Sequence, residues 1–169
     1  GPRDGLAPML ARYLRGLGLE PDGMVERLEP LYGDVDDVEP AVRHEMRSLA
    51  EWMAAKGGDE GFSSIPERRR AIGSLLQRIS NERPLLIRLD DVQWGRETLD
   101  TVRSLVDSEV EITALIVMNA EAETAERDDE IGQLLRAIVD HETGFSRRAG
   151  ELDVDDQRRL AQEVLGLEP

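Results

Sequence analysis

The chain has 169 residues, no cysteine, 40% hydrophobic but only 4% aromatic residues, and 36 acidic against 21 basic side chains, a formal charge of −15. That length supports one domain with a real core, which must be built from Leu, Ile, Val, Ala and Met. The charge opposes binding of nucleic acid or an anionic membrane, and the lack of cysteine removes disulfides, thiolate catalysis and Cys-based metal sites.

Taken in order, the chain opens with a helical region over 1–56. Leu6, Met9, Leu10, Tyr13, Leu14 and Leu17 recur at helical spacing and predict an amphipathic helix over 6–17. A second helix runs from Asp22 to Tyr32 on Met24, Val25, Leu28 and Leu31, and the acidic stretch 34–39 reads as a turn or loop. A third carries Val42, Met46, Leu49 and Met53 and stops before Gly57-Gly58. Residues 57–63 then read as a mobile linker. Ser64 and Glu67 stand at capping-box spacing ahead of Ile72, Leu75, Leu76 and Ile79, so a fourth helix starts there, with Arg68, Arg69 and Arg70 as a solvated face near its first turn.

Residues 83–94, RPLLIRLDDVQW, carry the strongest signal. A short apolar run between Pro84 and two aspartates suits a strand, over 84–90, that is covered on both faces of a mostly parallel sheet. Ligands of such sheets bind at the carboxyl ends of the strands, where Asp90 and Asp91 project. An Asp-Asp pair is also an ordinary exit from a strand into a turn, so both readings stand at this point. A helix, ETLDTVRSLVD, and a second apolar strand, ITALIVM, follow, the strand lying over 112–118 and ending at Asn119. Beyond it, Ile131, Leu134, Leu135 and Ile138 predict a helix over 129–141. A further strand is expected at 145–151, and Asp155 is expected to cap a last helix that buries Leu160, Val164 and Leu165.

From Ser64 onward this order resembles the STAND class of AAA-like signalling ATPases. There a strand ending in Leu-Asp-Asp is followed by an apolar residue, Gln or His, and Trp, as in Leu89 to Trp94 here. The resemblance implies a helix-rich three-layer αβα sheet of the P-loop NTPase type, incomplete here, with 64–169 as the Walker-B-containing part of a single partial module. It also implies roles. Asp90 would hold the Mg²⁺ shell, Asp91 would orient the attacking water as the catalytic carboxylate, and Asn119 would sense the γ-phosphate of ATP. The alternative for Asn119 is a strand-end asparagine entering a turn.

No stretch of the 169 residues reads G-x-x-x-x-G-K-[ST], so the sequence supplies no loop to cradle phosphates. Arg88 stands where the family has an aliphatic residue, and Gly95-Arg96 replaces its Ala-Asp; a charge at 88 suits a strand with a free edge. The expectation is therefore a regulatory or signal-transduction domain unable to bind or hydrolyse ATP as this chain alone. The alternative is a degenerate interaction or scaffold domain. His44 and His141 stand alone and read as surface or satisfied histidines rather than metal ligands, and Trp52 and Trp94 as packing anchors. No apolar run approaches the ~18 residues that span a bilayer, and no signal-peptide pattern opens the sequence. A cytoplasmic setting is expected, with protein partners, either other parts of a parent protein or a second copy, and neither nucleic acid nor membrane.

Overall fold

The computed structural model describes residues 5–55, 61–127, 129–150 and 153–165. Helix α1, Leu6–Tyr13, is shorter than its apolar spacing predicts. Arg15 turns left-handed at φ 55°, so the Arg15 amide donates to Arg12 and the Gly16 amide to Ala11, the paired bonds of a Schellman stop. Helix α2, Pro21–Tyr32, ends at Gly33, whose φ of 102° is open to glycine and few others. The acidic turn after it is held by Arg43 of α3, Pro40–Ala54. Its Nε donates to the Val35 carbonyl and its Nη2 to that of Asp36, each at 2.7 Å.

Helix α4, Ile65–Glu82, starts where the capping spacing places it. Ser64 Oγ accepts from the Glu67 amide at 3.3 Å, while the Glu67 carboxylate accepts from the hydroxyl and the amide of Ser63 rather than from the cap residue's own amide. Those bonds, with His44 beside them, hold the Glu67 carboxyl below the usual glutamate range. Of the linker expected over 57–63, residues 57–60 lie outside the described residues, and 61–63 lead into the cap.

The main core joins Leu10, Met24, Leu28, Met46, Leu49, Ile72, Leu75 and Ile79 of α1 to α4. Trp52 is buried there and meets Phe62 edge-on, the packing role expected of it. The solvated-face reading of the arginine cluster holds only in part. Arg68 is 4% exposed and pairs with Glu97, and Arg69 reaches Asp100 at 3.3 Å, so the cluster joins α4 to helix α5, Arg96–Val106. Helical phase explains the difference, because residue 68 lies on the Ile72–Leu75 side of α4.

Strands β1, Leu85–Leu89, and β2, Ala114–Met118, pair in parallel with Leu85 opposite Ala114 and Leu89 opposite Met118. Helix α5 connects them, as parallel strands require a crossover. Among the described residues the sheet has these two strands only. Ile87 is buried and Leu85, Leu89, Ile116 and Met118 pack against the helices, but Leu86, Arg88, Leu115 and Val117 are exposed, so β1 is covered on one face and not on both. The chain is thus a mixed α/β fold with a small, open sheet.

Three further expectations are corrected. Residues 145–150 form no strand: FSRRAG offers little beyond Phe145 to bury, and that ring is 80% exposed; residue 151 lies outside the described residues. After α6, Ala122–Glu126, and α7, Glu130–Val139, the last helix α8 runs Val154–Leu165. Its first turn is capped by Asp153, whose Oδ1 accepts from the Asp156 amide at 2.8 Å, not by Asp155. It does not bury its stripe, since Leu160 and Val164 are exposed. No described helix is long and apolar enough to cross a membrane.

Candidate functional site

The parallel register decides what meets at the carboxyl end of the sheet. With Leu89 opposite Met118, the next residues, Asp90 and Asn119, fall side by side. The backbone closes first: the Asn119 amide donates to the Leu89 carbonyl at 3.0 Å and the Val92 amide to the Asn119 carbonyl at 3.1 Å. The side chain of Asn119 then fills the gap between these bonds. Its Nδ2 donates to Asp90 Oδ1 at 2.7 Å, and its Oδ1 accepts from the Asp91 amide at 2.6 Å. Both contacts are satisfied in one orientation of the amide, because a carboxylate accepts only and a backbone N–H donates only.

Asp90 has a second partner. Arg88 lies two residues back on the same face of β1, and its Nε donates to the same Asp90 Oδ1 at 3.0 Å. Asp91 differs from its neighbour. Its backbone is left-handed, at φ 53° and ψ 44°, which turns the chain into a single 3₁₀ turn, Val92–Trp94. Val92 inserts into a second small core with Leu99, Val102, Leu135 and Ile138 of α5 and α7. This anchors the turn. Trp94 is not a packing anchor: it is 81% exposed, because the turn that buries Val92 directs the side chain two residues later outward.

The structure therefore brings Asp90, Asp91 and Asn119 to one strand end, all exposed. What the sequence did not reveal is how far they are committed to one another. Arg88 on Asp90 was the one legible signal, as a charge two residues from an opposite charge in a strand. A divalent magnesium ion needs near-octahedral oxygen ligation. In this arrangement Asp90 Oδ1 already holds two donors, one of them cationic, and the arrangement fits a braced turn better than a resident Mg²⁺. Among the described residues no three His, Asp or Glu side chains stand together as a metal cluster. His44 contacts Glu67 at 3.2 Å, and His141 Nδ1 meets the Thr143 hydroxyl at 3.0 Å. No protein-family model, no curated protein and no solved structure matches this chain.

Proposed function

We propose that the chain is a regulatory, signal-transduction domain of STAND-like, P-loop ATPase descent that works in the cytoplasm through protein contacts and does not bind or hydrolyse ATP by itself. One observation carries this reading: Asp90 Oδ1 is held jointly by Arg88 and Asn119, in a motif whose order is Leu-Asp-Asp-Val-Gln-Trp. The descent is supported by the parallel pairing of β1 with β2 across α5, which sets Asp90, Asp91 and Asn119 at the carboxyl ends of neighbouring strands. Loss of hydrolysis is supported by the salt-bridged state of Asp90 and by the lack, in these 169 residues, of a Gly-rich loop ending in Lys-Ser or Lys-Thr. The same bracing favours the second reading, a degenerate scaffold domain in which the motif is kept for its turn.

Protein contact is the natural output of the surface. The two-stranded sheet has open edges, which are templates for strand addition, and an exposed Trp94 beside its carboxyl end. Isothermal titration with Mg-ATP at submillimolar concentration tests the proposal. No heat is expected; a dissociation constant in the low micromolar range would overturn it and return Asp90 and Asp91 to the metal and water-orienting roles.

A further inference from the structure

Among the described residues one face of the sheet is uncovered, and so is one amphipathic helix. On the open face the register sets Leu86 beside Leu115 and Arg88 beside Val117. The three apolar side chains are 72%, 55% and 46% exposed. Helix α8 carries Val154, Leu160, Ala161 and Val164 on one stripe, and Val154, Leu160 and Val164 are 68%, 49% and 74% exposed. Single exposed apolar residues are ordinary on a protein surface, but a contiguous sheet face and a helix stripe each call for cover, and stable domains supply it by layering one on the other.

We infer that α8 closes over the open face of the sheet, laying Val154, Leu160 and Val164 on Leu86, Leu115 and Val117 as a second helical layer. The dimensions agree. Twelve residues of helix at ~1.5 Å each match five-residue strands at ~3.3 Å each to within a few ångström. The segment 140–153 between α7 and α8 spans, at up to ~3.5 Å per residue, more than twice the length of the sheet. Charge agrees as well. Arg88, whose Nε holds Asp90, also stands on the open face, and Glu163, three residues after Leu160, lies on one flank of the α8 stripe beside Asp156, which Arg159 pairs at 3.5 Å. The occupant is the chain's own helix rather than that of a second copy, because a short tether holds α8 at an effective concentration of roughly millimolar.

The absence of cysteine makes the test direct. In the full chain, Leu115→Cys combined with Leu160→Cys should form a disulfide under mild oxidation, giving a compact monomeric species on a non-reducing gel. The control pair, Leu115→Cys with Arg159→Cys, puts the second thiol on the opposite side of α8 and should cross-link about tenfold more slowly. Val117→Cys with Val164→Cys repeats the test at a second point, and far-ultraviolet circular dichroism checks that each variant folds. All these positions are exposed, so the core is untouched. Equal rates for stripe and control, or no cross-link in either stripe pair, overturn the inference. Cross-links found in dimers alone also overturn it, and assign the face to a second copy.

Discussion

Asn119 Nδ2 donates to Asp90 Oδ1 at 2.7 Å, tying the end of β2 to the end of β1. The same amide accepts from the Asp91 backbone through its Oδ1. Only a side-chain amide offers a donor and an acceptor in that fork. Asn119→Asp keeps an acceptor for the Asp91 amide but loses the donor and sets a second negative charge beside Asp90, at an expected cost of about 2 kcal/mol. Asn119→Ala removes both bonds without repulsion and should cost about 1 kcal/mol. Urea denaturation of the three proteins orders them; a ranking with the alanine variant lowest would show that the repulsion is negligible at this exposed site.

Asp91 sits at φ 53°, a left-handed region that strains every L-residue, Asn and Asp least, and that glycine alone adopts freely. If its carboxylate is a remnant, Asp91→Asn should leave stability within about 0.5 kcal/mol, since Asn tolerates the same backbone. Asp91→Gly should hold or slightly raise the melting temperature, because relief of the left-handed strain offsets the extra freedom glycine gives the unfolded chain. A loss above about 2 kcal/mol in either variant would mean that the side chain holds structure, against the remnant reading.

Much of this fold is legible from periodicity. The spacing of Met46, Leu49 and Met53 or of Ile72, Leu75 and Ile79 fixes both the helix and its buried face, and Ser64 with Glu67 fixes where α4 begins. The departures share a cause, which is that they depend on which surfaces meet. The arginines at 68–70 look alike in sequence, yet Arg68 is buried because Glu97 of another helix lies over it. Leu160 and Val164 form the same pattern as a core helix, but a stripe does not state what it packs on. The sequence pattern reads Asn119 as a strand end. Its fork onto Asp90 and Asp91 follows only once the parallel register is known, since a one-residue slip would take it away.

Arg68 and Glu97 make an asymmetric pair, one 4% exposed and the other 60%. Neutralising Glu97 withdraws one partner from a guanidinium in a poorly hydrated place, whereas replacing the guanidinium with an apolar chain of similar length leaves Glu97 as a surface carboxylate. Arg68→Met should therefore stay within about 1 kcal/mol of the parent, while Arg68→Ala, which also opens a void, should lose about 3 kcal/mol. Glu97→Gln should fall between them. Thermal unfolding of the three variants checks the order; Arg68→Met as unstable as Arg68→Ala would show that the charge itself, and not the packing of the side chain, holds α4 to α5.

Tyr32 gives the chain an alkaline limit. Its ring is buried, Arg78 lies 4.1 Å over the ring centroid, and its hydroxyl donates to Glu45 Oε1 at 2.8 Å. Burial, and then the neighbouring Glu45 carboxylate, push the phenol well above the usual tyrosine range. The sign follows from which state holds the proton. Below the unfolded value of about 10 both states are protonated and stability does not depend on this group. Above it the unfolded chain releases the proton while the folded chain keeps it, so stability falls by up to about 1.4 kcal/mol per pH unit. The cations of this chain are almost all arginine, which stays charged through this range and leaves the tyrosine dominant. Unfolding free energy should be level from pH 8 to about 9.5 and then decline, whereas Tyr32→Phe, less stable at neutral pH for want of the hydrogen bond, should lose most of that decline. An equal alkaline slope in the phenylalanine variant would place the titration elsewhere and leave the Tyr32 hydroxyl without a role in it.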